Sequence, residues 1–226
     1  MVAARRAIRA CSVAVGRLRN MGDEPRAVLF DFGGVLMKQD WAEYDAFGQR
    51  HGLPEHFMRR ALYRTPEWQA LQTGAGDREA WLAAFRRELA LHAAERVDAI
   101  AGEWFGRQPE YHDANIELAR ALAGAGVRVG LLSNAAPDLQ ERLMAGRIDI
   151  PFHCLVISGL VGLAKPDPAI YRLAAENSGV AIEQCFFIDD LEPNVAAARE
   201  VGMLGHHFQG DYAALQRDLR EAGYQW

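Results

Sequence analysis

Cysteine is scarce in this 226-residue chain, which contains only Cys11, Cys154 and Cys185. Their odd number and the absence of a CxxC spacing argue against a disulfide framework and against a zinc site. Long apolar runs are lacking as well, since stretches such as 28–30 and 129–132 are far shorter than the roughly 18 residues that a membrane-spanning helix requires. We therefore expect a protein of a reducing, cytoplasmic setting with no membrane partner.

Basic residues are in deficit over most of the chain. The formal net charge is −5, but residues 1–22 hold five arginines and no acid, so the remaining residues carry 20 basic and 30 acidic side chains. Such an acidic body lacks the clustered Lys and Arg that nucleic acid requires, and we expect no nucleic-acid partner. The Arg-rich start has the composition of a transit peptide, but we favour an extraneous or disordered tail ahead of Met21 and leave residues 1–22 out of the fold.

The rest of the chain has the composition of a globular protein, with half of all residues apolar and 24% charged. From residue 26 onward, short apolar runs alternate with helical patterns, such as those at 115–123 and 169–177. This alternation is typical of an α/β fold, in which parallel strands are joined by helices. The predicted strands are 27–30, 127–132, 153–157, 185–188 and 204–208.

One interval breaks this alternation, because about 80 residues after the first predicted strand show no strand pattern. Their periodicity predicts helices near 40–51, 54–63, 77–92 and 93–105 instead. We interpret the interval as an all-helical insertion. It contains Trp41, Trp68, Trp81 and Trp104, and we expect most of these rings to fill the core of the insertion itself.

Polar residues follow the apolar runs at four places. In an open parallel sheet, ligands bind beyond the carboxyl ends of the strands, so we expect these side chains to meet at one edge. Adjacent carboxylates, as in the Asp189–Asp190 doublet, repel each other unless a cation lies between them. In chain order the candidate residues are Asp31, Ser133, Asn134, Lys165, Asp189, Asp190 and Asn194.

In order and spacing, these four segments resemble the motifs of the haloacid dehalogenase-like hydrolase superfamily, and the helical insertion lies where that family has its C1 cap. The resemblance covers residues 26–226. It implies a Rossmann-like sheet with the first strand central, helices on both faces, a core domain of residues 23–37 and 113–226, and a cap domain of residues 38–112. The string Asp-Phe-Gly-Gly-Val-Leu at 31–36 is most similar to the branch with sugar-1-phosphate phosphatases and the phosphatase domain fused to epoxide hydrolases.

The resemblance also implies a reaction, a cofactor and a role for each candidate residue. Asp31 would be the nucleophile that accepts the phosphoryl group of a small phosphorylated metabolite, with Lys165 and Ser133 as the other catalytic residues. Asn194 would orient the loop that carries the carboxylate doublet. The magnesium ligands would be Asp31, the carbonyl of Gly33, Asp190 and, through water, Asp189, and the phosphate-binding residues would be Ser133, Asn134, Lys165 and Gly34.

One position departs from the family's pattern. Most family phosphatases carry a second aspartate two residues after the nucleophile, which protonates the leaving group and then activates water. In this sequence the residue at that position is Gly33. Losing such a group typically costs about 10²- to 10⁴-fold in rate, least for good leaving groups, so we predict a preference for substrates such as sugar 1-phosphates. Asp40 and Glu43 are candidate substitute acids. His206 and His207 match no position of the pattern, and we expect them to be surface or core residues.

Two alternative functions stay open. A metal-independent 2-haloacid dehalogenase would also lack the second aspartate, although the carboxylate doublet argues against it. A catalytically weak phosphate-binding module would keep the site but not turn substrate over. The sequence assigns no oligomeric state.

Overall fold

The computed structural model describes residues 26–145 and 148–226, so the expected N-terminal tail and Cys11 lie outside the described residues. Five parallel strands form one sheet in the order β3-β2-β1-β4-β5. The predicted α/β, Rossmann-like parallel sheet with the first strand central is therefore confirmed. The strands are β1 Ala27–Phe30, β2 Arg128–Ser133, β3 Cys154–Ile157, β4 Cys185–Asp189 and β5 Leu204–His207.

The central strand β1 is an uninterrupted apolar run because both faces of the sheet are covered. All four of its residues have no exposed surface. Val28 and Phe30 belong to one apolar cluster, and Ala27 and Leu29 belong to the other. In neighbouring β2, Gly130 leaves room for this packing, since a Cβ there would be 2.7 Å from Leu29 Cδ2.

Five helices follow β1 and form the predicted helical insertion, with an apolar cluster of their own that includes Phe47, Leu62, Phe85 and Ile100. A six-residue helix after the Thr65 N-cap was not predicted. The last two helices are separate, as predicted, and a short 3₁₀ turn at Ala94–Arg96 lies between them. The domain boundaries given above stay a prediction. The helices are α1 Trp41–Arg50, α2 Phe57–Tyr63, α3 Pro66–Leu71, α4 Arg78–Ala93 and α5 Val97–Phe105.

The remaining helices cover the two faces of the sheet. They are α6 Asp113–Gly124, α7 Leu139–Ala145, α8 Ser158–Val161, α9 Pro168–Ser178, α10 Glu192–Glu200 and α11 Tyr212–Glu221. α6 and α11 contribute to the cluster on the face of Val28, whereas α9 and α10 contribute to the cluster on the face of Leu29. Helices thus lie on both faces, as expected. Among the residues that the structure describes, no helix has the length and apolar character needed to cross a membrane.

Candidate active site

The candidate site is built where three neighbouring strands end. Asp31 directly follows the central strand β1, while Ser133 and Asp189 are the last residues of the flanking strands β2 and β4. The Asp31 backbone N–H donates to the Ile188 carbonyl at 2.9 Å, which fixes Asp31 beside the end of β4. A hydrogen bond between the side chains of Ser133 and Asp31 links the nucleophile candidate to β2. The parallel pairing therefore brings these predicted residues together.

Lys165 bridges two of the carboxylates from a buried position. Its Nζ lies 3.0 Å from Asp31 Oδ1 and 2.5 Å from Asp189 Oδ2, and its side chain is 1% exposed. It also donates to the Leu132 carbonyl at 3.1 Å. Burial alone would lower the pKa of this ammonium, but Asp189 and Asp31 outweigh burial and raise it. Lys165 is therefore held as a cation beside Asp31, as an electrostatic partner of a phosphoryl group must be.

Asn134 holds the backbone of Lys165 in place. Its amide nitrogen donates to the Lys165 carbonyl at 2.9 Å, and its amide oxygen accepts from the Lys165 N–H at 2.8 Å. Both ends of the amide are thus engaged with the lysine. The predicted contact of Asn134 with phosphate stays a prediction, whereas its positioning of Lys165 is visible in the structure.

Asp189 is fully buried and makes its hydrogen bonds within the protein. Besides the contact with Lys165, its Oδ1 accepts from the Leu191 N–H at 2.8 Å, and Asn194 Nδ2 lies 3.1 Å from both carboxylate oxygens. Asn194 therefore binds the carboxylate at the end of β4, and its predicted role in orienting the loop stays a prediction. Asp189 holds the ammonium of Lys165, while its neighbour Asp190 lines the cavity above the sheet edge.

Asp31, Asp189 and Asp190 form the acidic cluster of the site. Each offers one carboxylate oxygen, and the three atoms lie within 4.8 Å of one another. Burial, together with repulsion from the other carboxylates, raises the pKa of Asp31 to about 6 and that of Asp190 to about 7, despite the opposing effect of Lys165. A divalent cation would relieve this repulsion, and carboxylate oxygens are the donors that Mg²⁺ prefers. The residues present therefore fit the predicted metal.

Gly34 makes room for one member of the acidic cluster. Its φ is +74°, and a Cβ there would be only 2.3 Å from Asp190 Cγ. Its N–H donates to the Met37 carbonyl at 2.7 Å. In this structure Gly34 thus allows the close approach of Asp190, and its predicted role in phosphate binding stays a prediction. Gly33 lines the cavity together with Asp31.

His207 is a site neighbour that the sequence did not reveal. The Nε2 of this histidine is 3.0 Å from the Asp190 carbonyl, and its Nδ1 is 3.3 Å from a Glu192 carboxylate oxygen. The strand predicted at 204–208 contains His207, but a strand pattern gives no register and so could not place this residue opposite Asp189. His206 is buried and its Nδ1 lies 2.7 Å from Asp218 Oδ2, so it is a core residue, in agreement with the expectation.

A cavity of about 630 Å³ lies over this edge of the sheet, between the site and the helical insertion. This volume suits a small molecule. Three of the four tryptophans contribute to its wall, so Trp41, Trp68 and Trp81 do more than fill the insertion. Trp104 packs on Tyr44 and Phe47 inside the insertion, as expected. The basic residues of the wall, besides Lys165, are Arg59, Arg64, Arg78 and Arg142.

Comparison with known proteins shows the family to which this chain belongs. A family model described as haloacid dehalogenase-like hydrolase matches residues 25–202. A phosphatase of Mycobacterium tuberculosis is 30% identical over 190 residues, which cover 78% of this chain and 84% of the relative. A phosphoserine phosphatase of Thermus thermophilus is 36% identical over 148 residues, or 63% of this chain, and the match spans only 59% of that relative.

Solved structures show the same fold at low sequence identity. A HAD family enzyme of Bacteroides thetaiotaomicron, crystallised with magnesium and inorganic phosphate, has a TM-score of 0.64 and 20% identity, covering 84% of this chain and 98% of that one. An L-2-haloacid dehalogenase has a TM-score of 0.61, also with 20% identity. At this identity both matches establish the fold and leave the choice of reaction to the residues of the site.

Proposed function

The chain belongs to the haloacid dehalogenase-like hydrolase family, and from this membership and the site geometry we propose that it is a Mg²⁺-dependent phosphatase of small phosphorylated metabolites. The observation that supports this most strongly is the meeting of Asp31, a buried Lys165 and the carboxylate pair Asp189–Asp190 at the base of one cavity, which Asp31, Lys165 and Asp190 line. A phosphoryl group needs a nucleophile, fixed positive charge and a cation site, and the base of this cavity offers all three.

Asp31 is the proposed nucleophile. One of its oxygens, Oδ1, accepts from the Phe32 N–H at 2.7 Å and faces Lys165, which fixes the plane of the carboxylate. The carboxylate attacks phosphorus, the ester P–O bond breaks, and the leaving oxygen departs with the electron pair and takes up a proton. Water then attacks phosphorus of the aspartyl-phosphate, which releases inorganic phosphate and restores Asp31. Mg²⁺ held by Asp31, Asp190, the Gly33 carbonyl and, through water, Asp189 would neutralise the phosphoryl oxygens.

Gly33 bears on the choice of substrate. Neither candidate substitute acid lines the cavity: Asp40 caps α1 by accepting from the Ala42 N–H at 2.9 Å, and Glu43 pairs with Arg107. Without a carboxylic acid two residues after the nucleophile, leaving groups that need little protonation are favoured. We therefore propose sugar 1-phosphates, acyl phosphates and aryl phosphates as substrates ahead of simple alkyl phosphates.

A metabolite panel assayed with and without Mg²⁺ tests this function. We expect phosphate release that depends on Mg²⁺, is lost in Asp31→Asn, and is faster for a sugar 1-phosphate than for the 6-phosphate of the same sugar. Equal rates for the two phosphates would contradict the substrate preference. Halide release from a 2-haloacid without added metal would favour the dehalogenase alternative, and an aspartyl-phosphate that forms but never turns over would favour the phosphate-binding module.

A further inference from the structure

The space beside Gly33 is occupied by another side chain. A Cβ on Gly33 would lie 2.6 Å from Oε1 of Gln39, closer than real Cβ contacts come. Gln39 belongs to the short segment between the loop after β1 and helix α1, and it lines the same cavity as Asp31. The amide oxygen of Gln39 therefore stands where a side chain of residue 33 would begin.

The amide of Gln39 is held in one orientation by Tyr44. Burial raises the pKa of the Tyr44 phenol, and hydrogen bonds with Tyr63 and Gln39 partly offset this rise. Since the amide oxygen of Gln39 is the end beside Gly33, the amide nitrogen is the donor that is available to the phenol oxygen. Tyr44 is itself fixed, because it is 8% exposed and its hydroxyl lies 3.2 Å from that of Tyr63. The amide of Gln39 therefore presents its oxygen to Gly33 and its nitrogen to Tyr44.

We propose that Gln39 positions the water that hydrolyses the aspartyl-phosphate. The inference rests on the function proposed above and concerns its second half-reaction. Gln39 Oε1 accepts a hydrogen bond from the water and directs the water oxygen at phosphorus. The new P–O bond forms as the bond between phosphorus and Asp31 breaks, the electron pair returns to the carboxylate, and the proton of the water passes to a phosphoryl oxygen.

This role differs from acid–base catalysis in a way that kinetics can detect. An amide neither takes up nor gives a proton at neutral pH, so Gln39 orients water but gives no help to the leaving group. Loss of Gln39 therefore slows the second step alone. The rate of phosphoryl transfer to Asp31, and with it kcat/KM, stays unchanged for every leaving group.

The test compares Gln39→Ala with wild type by rapid quench with a ³²P-labelled sugar 1-phosphate and an aryl phosphate, in the presence of Mg²⁺. We expect the hydrolysis of the phosphoenzyme to slow about tenfold, the loss expected for one orienting hydrogen bond. The phosphoenzyme then accumulates, and kcat falls to a common value for the two substrates. Tyr44→Phe should also slow the hydrolysis of the phosphoenzyme, but by a smaller factor, because it removes only the hydroxyl that holds the Gln39 amide in place.

Two further variants separate positioning from a structural effect. Gln69→Ala is the matched control, since this glutamine also lines the cavity but its oxygen accepts from Gln72 at 2.6 Å, and its phosphoenzyme should not accumulate. Gln39→Glu keeps an acceptor oxygen of the same reach and should hydrolyse the phosphoenzyme at least as fast as wild type.

The results distinguish failure of this inference from failure of the proposed function. If wild type releases phosphate but Gln39→Ala lowers kcat and kcat/KM together without accumulating phosphoenzyme, the positioning role is wrong and the phosphatase assignment stands. Gln39→Glu being as slow as Gln39→Ala would also overturn the positioning role. No phosphate release by wild type from any substrate of the panel would overturn both.

Discussion

Replacing Lys165 with methionine tests the electrostatics of the site through stability. The side chain of Lys165 is 1% exposed and lies between the carboxylates of Asp31 and Asp189 at 3.0 and 2.5 Å. Methionine preserves much of the volume but leaves two buried carboxylates without their cation. Breaking a buried ion pair from one side costs about 3–5 kcal/mol, so the free energy of unfolding should fall by about that amount.

The size of this loss should depend on pH. Burial already raises the pKa of Asp31 to about 6 with Lys165 in place, and removal of the ammonium should raise it further. A carboxyl with a higher pKa in the folded state binds its proton more tightly when folded, so its contribution to stability is lost as pH rises through that folded pKa. The loss in free energy of unfolding caused by Lys165→Met should therefore be larger at pH 8 than at pH 5.

Thermal and denaturant unfolding without divalent metal measure both effects. For a chain of this length, a loss of about 3–5 kcal/mol lowers Tm by about 10 °C. The control is Lys38→Met, which removes an exposed pair with Glu110 (side chains 49% and 73% exposed) and should cost under about 1 kcal/mol. Equal losses for the two variants, or a larger deficit of Lys165→Met at pH 5, would refute the reasoning.

Three further substitutions test the acidic cluster and its supports. Gly34→Ala should lower the free energy of unfolding by about 1–3 kcal/mol, because its Cβ would lie 2.3 Å from Asp190 Cγ. For the same reason this variant should no longer show a rise of Tm with Mg²⁺. Gly210→Ala is the control for backbone strain alone, since Gly210 has φ +84° and no neighbour within 4 Å, and this variant should keep the rise of Tm with Mg²⁺. Asp190→Asn should abolish the stabilisation by Mg²⁺, which in wild type reaches about 2.7 kcal/mol at 100 times Kd, and an undiminished Tm shift would count against Asp190 as a ligand. Asn194→Leu should cost about 1–3 kcal/mol in denaturant unfolding, because buried Asp189 loses its side-chain amide donor; an unchanged midpoint would contradict this.

The fold and the convergence of the main site residues could be predicted, because both depend on the order in which apolar runs and polar residues follow one another along the chain. The apolar run 27–30 is followed at once by Asp31, and parallel pairing then places the ends of β1, β2 and β4 at one edge. Alternation of strand and helix fixes this arrangement without knowledge of any particular contact. The same reasoning located the helical insertion, although the Thr65–Pro66 cap that begins α3 was overlooked.

The different roles of the site's carboxylates could not be predicted from the sequence, because they depend on tertiary contacts. Asp189 and Asp190 are adjacent and chemically identical, and only the hydrogen bonds of Lys165 and Asn194 distinguish the buried carboxylate from the one that lines the cavity. The contact of Gln39 with Gly33 depends on the path of a loop, for which the sequence has no periodic signal.

The central claim is that Asp31 accepts a phosphoryl group beside a cation held by carboxylates from the ends of β1 and β4. Peptide mass mapping of acid-quenched enzyme during turnover tests it most directly. We expect an added phosphoryl mass on the peptide with Asp31, present with Mg²⁺ and substrate and absent when a chelator replaces the metal or when Asp31 is asparagine. Phosphate release under the same conditions with residue 31 unmodified at every quench time, or a phosphoryl mass on another residue, would contradict the claim.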